Sequence, residues 1–159
     1  MNLWKYYDGD LKYPDLNSHS HEKEIAKTNS KWAYEFVKKY GKDEELEPAI
    51  AKITYNSFWY ANLILKGPFP LGEPAISKSP EYSYQYAKDI LNGSFPLGEP
   101  AIAKKAYCSV LYAEHVLCDR FELAEPTIAK STEYSNEYTQ EVLKKDFYLD
   151  GKLICKYEG

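Results

Sequence analysis

Cysteine, methionine and long apolar runs are scarce in this sequence. Its 159 residues include three cysteines and one methionine. An odd number of cysteines, in a chain long enough to bury its own core, does not indicate a disulfide framework, so a reducing compartment is expected. No apolar run approaches the roughly 18 residues of a membrane span, and the first residues lack the apolar segment of a signal peptide. We therefore expect a soluble, cytoplasmic protein that does not enter a membrane.

Long basic runs and catalytic motifs are also missing. The formal net charge is −4, without the clustered cations of a duplex-binding protein. There is no glycine-rich phosphate loop and no nucleophile beside a base, so we expect neither an enzyme nor a cofactor. Cys108, His115 and Cys118 would share one side of a helix, but they span too many turns for one metal ion and lack a fourth ligand. No metal site is predicted.

A unit of 26 residues, by contrast, is repeated four times, and each copy begins with Glu-Pro, at 47, 73, 99 and 125. The residue types that recur in the same column of every copy are Ile50, Ile76, Ile102 and Ile128; Lys52, Lys78, Lys104 and Lys130; Tyr60, Tyr86, Tyr112 and Tyr138; and Phe69, Phe95, Phe121 and Phe147. A fixed period of this length is typical of repeat proteins, in which each unit buries its apolar face against its neighbours.

Each copy is predicted to be a short helix, a tight turn and a longer helix. The proline after Glu73 suits a first helical turn, and Ser79 followed by proline caps the longer helix. The apolar stripe of that longer helix would consist of Ser83, Tyr86, Ala87, Ile90 and Leu91. Gly93 is expected to end the helix in a left-handed conformation. Phe95 and Leu97 are expected to fill the seam between copies.

We predict a single all-α domain, an α-solenoid with a divergent N-terminal cap. Its segments are the cap at 1–20, a degenerate copy at 21–46, full copies at 47–72, 73–98, 99–124 and 125–150, and a closing half-repeat at 151–159. The alternative for the last segment is a hairpin, because Asp150-Gly151 between apolar runs is a turn signal. His19 and His21 are expected in a polar loop, and 42–47 in a solvated acidic linker.

The columns that differ between copies should face solvent or a partner. On what we call the outer face of the longer helix, copies 2 and 4 carry polar or acidic residues: Glu81, Gln85 and Asp89, and Glu133, Glu137 and Glu141. Copies 1 and 3 carry mostly apolar residues in the same columns: Tyr55, Trp59 and Leu63, and Tyr107, Leu111 and His115. Exposed apolar patches often mark an interaction surface. A foreign partner, a homodimer, or the N-terminal segment folded over copy 1 would each account for them.

The repeated lysines, Lys52, Lys78, Lys104 and Lys130, form a lysine row at equivalent places in the copies. Evenly spaced cations can follow a phosphate backbone, which makes nucleic-acid binding one hypothesis. In a second hypothesis, each lysine neutralises the C-terminus of its short helix and pairs with a glutamate of a neighbouring copy. In a third, the lysine and tyrosine columns hold a nucleotide immune signal.

The repeat, Phe-Pro-Leu-Gly-Glu-Pro-Ala-Ile-Ala-Lys followed by Glu-Tyr-Ser-Tyr-x-Tyr-Ala-x-x-Ile-Leu, resembles tandem repeats in proteins of tailed phages and large DNA viruses. The resemblance covers residues 47 to 156 and carries no catalytic or ligand residues. It implies a viral origin, the host cytoplasm, and a non-enzymatic protein that binds a host protein or ribonucleoprotein. By analogy with small phage proteins, the favoured hypothesis is an inhibitor of antiviral defence such as a CRISPR–Cas effector. The predicted contact residues are Tyr55, Trp59, Leu63, Tyr107, Leu111 and His115.

Overall fold

The computed structural model describes residues 19–159, so all but the last two residues of the predicted cap at 1–20 lie outside the described residues. The described part is mostly helical, as predicted, with one two-stranded sheet. The α-helices are α1 His19–Lys27, α2 Ser30–Tyr40, α3 Glu47–Ile50, α4 Thr54–Trp59, α5 Glu73–Ile76, α6 Pro80–Gln85, α7 Glu99–Ile102, α8 Ala106–Tyr112, α9 Glu125–Ile128 and α10 Thr132–Glu137. The strands are β1 Phe147–Leu149 and β2 Lys152–Cys155. Within residues 19–159, no helix is long and apolar enough to cross a membrane.

The four copies fold alike. Each starts with a four-residue helix whose second residue is proline, since the first turn of a helix needs no N–H there. The longer helix then begins as an α-helix and ends as a π-helix, a form that is rare in proteins. The π-helical segments are Tyr60–Leu65, Tyr86–Leu91, Ala113–Leu117 and Tyr138–Leu143. The predicted cap at Ser79 is confirmed, because its side chain accepts a hydrogen bond from the Tyr82 N–H at 3.4 Å.

Every π-helical segment ends at a left-handed residue that is not glycine: Lys66, Asn92, Cys118 and Lys144, with φ of 49–51°. The prediction that Gly93 has this conformation is wrong. The wide final turn lets the N–H groups of Asn92 and Gly93 both reach the Ala87 carbonyl, so the chain reverses one residue earlier. Asparagine enters the left-handed region more readily than most residues, whereas lysine and cysteine are sterically strained there.

The repeated isoleucine, tyrosine and phenylalanine columns build the core. The side chains of the isoleucine and tyrosine columns are fully buried, and those of the phenylalanine column nearly so. Within each copy, a serine hydroxyl on the longer helix donates to the isoleucine carbonyl of the short helix, as Ser109 does to Ile102 at 2.9 Å. The longer helix of each copy contacts both helices of the next. The columns predicted to pack between copies therefore do so.

The seam between copies is filled by phenylalanine without leucine. Phe95 is 3% exposed, but Leu97 is 53% exposed, so half of the seam prediction is wrong. A side chain on Gly98 would collide with the Phe95 ring, which shows that this glycine makes room for the ring. The ring occupies the space that leucine was predicted to share. Leu71 and Leu123, in the same column, are equally exposed.

The degenerate copy departs from two expectations. The loop predicted around His21 is helical, since α1 begins at His19 and carries Glu22 in its first turn and Lys27 in its last, which suit the helix dipole. The linker before copy 1 is exposed at Lys42, Glu44 and Glu45, as predicted, but its Leu46 is buried. Its Glu45 pairs with Lys23 at 3.1 Å and with Lys27 at 2.8 Å, which joins the linker to α1.

The predicted closing half-repeat is wrong, because residues 147–155 form an antiparallel hairpin. Asp150 and Gly151 have φ of 50° and 77°, the two left-handed residues that a tight hairpin turn requires. The tail then packs on α10 and the π-helix after it. The Gln140 amide donates to the Lys156 carbonyl at 3.1 Å and accepts from the Glu158 N–H at 3.2 Å. This hairpin, rather than a further helix, covers copy 4.

Candidate interaction surfaces

The outer face lies at the surface, as predicted. Tyr55 and Leu63 of copy 1 are each 51% exposed, and Tyr107 of copy 3 is 49% exposed. Trp59 and Leu111 are half-buried against the core, whereas His115 is exposed. The apolar residues of copies 1 and 3 therefore combine an anchored part with a part that is open to contact. The N-terminal segment that was considered as a cover for copy 1 lies outside the described residues.

Aromatic rings join the apolar part of the outer face to neighbouring copies. The Tyr55 ring lies 6.4 Å from Tyr34 and 6.4 Å from Tyr82, both edge-on, and 6.2 Å from Trp59. These are favourable geometries for aromatic pairs. In copies 3 and 4, Tyr107 lies 6.2 Å from Tyr134, so the same contact recurs two copies further along. The column pattern does not predict this pairing, because the two tyrosines are 27 residues apart and so stand in different columns of the 26-residue period.

The indole N–H of Trp59 is buried and donates to no acceptor in the part of the chain that the structure describes. An unpaired buried donor costs about 1–3 kcal/mol, and tryptophan usually finds an acceptor. A carbonyl or carboxylate that reaches this indole would remove the cost. The indole of Trp59 is therefore an unsatisfied buried donor beneath the exposed apolar side chains of copy 1.

Between the two aromatic pairs, the outer face is ionic. Glu81, in the column of Tyr55 and Tyr107, forms an ion pair with Lys105 of the next copy. This hydrogen-bonded lysine lowers the pKa of Glu81. The face therefore alternates along the copies between tyrosine contacts and a charged contact.

Carboxylates crowd the outer face at copy 4. Burial raises the pKa of Glu137, and the nearby carboxylates of Glu114, Glu133 and Glu141 raise it further. His115 acts in the opposite direction, and its Nδ1 lies 3.7 Å from Glu114. No described lysine or arginine forms an ion pair with Glu137. This end of the face has uncompensated negative charge that a cationic surface would relieve.

The four lysines of the lysine row are all exposed, and no described carboxylate pairs with them. The predicted pairing with the repeated glutamates is wrong, because tyrosine hydroxyls occupy those carboxylates. Tyr86, for example, donates to Glu73 at 3.0 Å and accepts from the Phe69 N–H at 2.7 Å. Lys27, which stands in the degenerate copy before the row, pairs with Glu24 and Glu45.

The tyrosine column is closed to ligands. Tyr60, Tyr86, Tyr112 and Tyr138 are fully buried. Burial is the main reason that their pKa values are raised well above that of free tyrosine, and the glutamates that accept from their hydroxyls add to the effect. A nucleotide could therefore reach the lysines but not the tyrosines of the predicted site.

One further groove, of about 460 Å³, lies beside the C-terminal hairpin and is lined by Arg120, Leu143, Lys145, Asp146 and Tyr148. Arg120 is already engaged, because it donates twice to the buried Glu125, at 2.6 and 2.8 Å. Each cation of the groove is thus accompanied by a carboxylate close by in the sequence. Counted together with Glu125, which holds Arg120, the charges around the groove balance, so it has no excess of cations with which to select an anion.

The three residues considered as metal ligands do not form a site. Cys108 is buried, and burial raises the pKa of its thiol, whereas Cys118 and His115 are exposed. Among residues 19–159, no group of three or more histidine, cysteine, aspartate or glutamate side chains is placed to hold a metal ion.

Comparison of the chain with protein-family models, with curated proteins and with solved structures finds no match in any of the three. The exposed surfaces described above are therefore the features of the molecule that bear on its function.

Proposed function

We propose that the chain is an α-solenoid whose outer face binds another protein without catalysing a reaction. Four copies with the same helices, contacts from each copy to the next, and buried repeated columns support the solenoid. Such stacks present extended surfaces along equivalent helices, and repeat proteins commonly use these surfaces for binding.

The observation that carries this proposal is the exposure of Tyr55, Leu63 and Tyr107 on a face that is acidic in the other copies. None of these side chains needs to be apolar for the copy to fold, because copies 2 and 4 fold with glutamate or aspartate in the same columns. Exposed aromatic residues are favoured anchors in protein interfaces.

The proposed partner is a host protein or ribonucleoprotein in the host cytoplasm, and the proposed role is inhibition of antiviral defence such as a CRISPR–Cas effector. The resemblance of the repeat to those of phages and large DNA viruses supports the viral setting. The carboxylates that flank the apolar residues favour a partner whose contact surface contains lysine or arginine. Proteins that bind nucleic acid have such surfaces.

The test is affinity capture from host lysate with variants that import the residue of another copy. Leu63→Asp and Tyr107→Glu place on the outer face the residues that copies 2 and 4 already carry there. Leu97→Glu is the matched control, since it changes an equally exposed leucine outside the outer face. We expect a stoichiometric protein with the wild type and with the control, and its loss with the two outer-face variants. Retention of that protein by folded outer-face variants would contradict the proposal.

Self-association and nucleotide binding are tested on the same purified proteins. A homodimer would have twice the mass of one chain in light scattering, and the outer-face variants would have the mass of a monomer. A bound nucleotide would raise the 260 nm absorbance of the eluate.

A further inference from the structure

Each short helix of copies 2 to 4 exposes a leucine, a proline and a lysine on one side. The helix α5 continues at both ends into hydrogen-bonded turns, in which backbone N–H groups up to Lys78 donate to carbonyls three or four residues earlier, from Phe69 onwards. Leu71, Pro74 and Lys78, at i, i+3 and i+7, therefore share one face. The corresponding residues of the next copies are Leu97, Pro100 and Lys104, and Leu123, Pro126 and Lys130. We call these nine residues the Leu-Pro-Lys face.

Most of this face has no part in holding the fold together. The three leucines are 51%, 53% and 57% exposed, and the prolines and lysines are exposed as well. No described carboxylate pairs with any of the three lysines. In copy 1 the leucine position is occupied by Glu45, which pairs with Lys23 and Lys27. The repeated surface is therefore confined to copies 2 to 4.

The chemistry of the face selects its occupant. A cation beside an exposed leucine and proline matches a chain that offers a carboxylate beside an apolar side chain. Single-stranded nucleic acids are held by aromatic rings on which bases stack, and the face contains no aromatic residue. The outer face of the same molecule is acidic in copies 2 and 4, which further disfavours a long polyanion.

The spacing of the copies adds a condition on that chain. Packed helices lie about 8–10 Å apart, so equivalent lysines of successive copies should recur at about this distance. A polyproline II helix turns once in about 9.3 Å and places every third residue on the same side. We propose that the Leu-Pro-Lys face binds an extended acidic peptide whose carboxylates recur at every third residue. This partner site is separate from the outer face and shares with the proposed function only the stacking of the copies.

The test is fluorescence anisotropy of a labelled peptide made of Glu-Pro-Leu triplets against the full chain. The control peptide has the same composition, with the glutamates grouped at one end. We expect the triplet peptide to bind about ten-fold more tightly than the grouped one, with an affinity that falls as salt rises, because the contacts are exposed ion pairs. Equal affinities for the two peptides, or no binding at low salt, would overturn the proposal.

Variants separate this face from the outer face. The combined change Lys78→Glu, Lys104→Glu and Lys130→Glu should weaken binding of the triplet peptide by about ten-fold or more, since each exposed ion pair contributes modestly. Leu97→Glu should weaken it too, whereas Tyr107→Glu on the outer face should leave it unchanged. Circular dichroism checks that each variant is folded. Unchanged affinity in the lysine variant, or tighter binding of an oligothymidylate than of the peptide, would refute the inference.

Discussion

At the scale of single residues, hydrogen bonds of the buried tyrosine hydroxyls join neighbouring copies; we call each such contact a joint. Tyr112 donates to Glu99 of its own copy at 2.9 Å and accepts from the Phe95 N–H of the preceding copy at 2.8 Å. One buried hydroxyl thus satisfies a carboxylate and a backbone donor that would otherwise be unpaired. Tyr60 lies at the first joint and lacks the second bond, since no backbone N–H of the described residues before copy 1 donates to its hydroxyl.

This difference predicts unequal effects of the same substitution. Tyr112→Phe should lower the free energy of unfolding by about 1–3 kcal/mol, since it leaves the buried Phe95 N–H and the Glu99 carboxylate unsatisfied. Tyr60→Phe is the matched control and should cost less, because it removes one hydrogen bond rather than two. Urea denaturation of the three proteins measures both values. Equal losses would show that the bridging bond does not contribute as argued.

Crowding of carboxylates at copy 4 gives a second residue-scale prediction. Glu133, Glu137 and Glu141 are four residues apart on one helix, and like charges at this spacing destabilise a helix by about 0.2–0.5 kcal/mol per pair. Glu137→Gln should therefore stabilise the protein by a few tenths of a kcal/mol at neutral pH. The pKa of Glu137 is raised in the folded protein, so the penalty exists above that pKa and disappears once the carboxyl is protonated.

The gain from Glu137→Gln should accordingly vanish at acidic pH, below the ordinary glutamate pKa of about 4.3. The control is Gln85→Glu, which builds the same row of acids in copy 2, where Glu81 is already paired with Lys105. Thermal melts of both variants at neutral and acidic pH make the comparison. A gain that persists at acidic pH would point to packing rather than charge.

At the scale of the element, the end of each longer helix carries strain that glycine would relieve. Cys118 is left-handed at φ 51°, a conformation that costs an ordinary residue about 1–2 kcal/mol. We predict that Cys118→Gly raises the melting temperature. Part of the gain is offset because glycine loses more chain entropy on folding.

Cys118→Ala is the control, since it also removes the exposed thiol but keeps the strained Cβ. Melts under reducing conditions compare the two variants without disulfide formation. A glycine variant less stable than the alanine variant would mean that the strain is smaller than the entropy cost.

The elements also show what the sequence could and could not predict. Prolines and serines at helix starts, and the columns of isoleucine, tyrosine and phenylalanine, were predictable because each depends on local chemistry or on a period. The π-helical ends were not, since the hydrogen-bond register of a last turn leaves no compositional signal. Nor could hydrophobicity alone decide between Phe95 and Leu97 for the seam. The hairpin was decided by Asp150-Gly151, a local turn signal. It outweighed Ile154 and Lys156, which keep the 26-residue spacing of the isoleucine and lysine columns.

The sequence predicted that the outer face is exposed, but it did not predict the aromatic contacts between copies on that face. The alternation of apolar and acidic residues identified Tyr55 and Tyr107 as exposed. Their pairing with Tyr82 and Tyr134 depends on how far each copy is rotated against the next, which the period does not contain. The exposure of the Leu-Pro-Lys face depended on the same geometry.

At the scale of the whole molecule, repetition makes the four buried tyrosines act together. Their pKa values are all raised in the folded protein, chiefly by burial. In the unfolded chain they titrate near pH 10. Below that pH they are neutral in both states and have no effect on stability. Above it, the unfolded chain loses protons that the folded protein keeps, so stability falls as the pH rises.

We therefore predict a steep alkaline unfolding that begins near pH 10, because each of these tyrosines removes up to about 1.4 kcal/mol of stability per pH unit. Helix content by circular dichroism and phenolate absorbance should be followed on the same samples. The buried tyrosines should ionise only as the helix signal is lost, in one transition. Ionisation removes the bond that each hydroxyl donates to the glutamate of its own copy and places two negative charges side by side, so all four copies are destabilised at once. Full phenolate ionisation with the helices intact would show instead that the copies stay together without these hydroxyls.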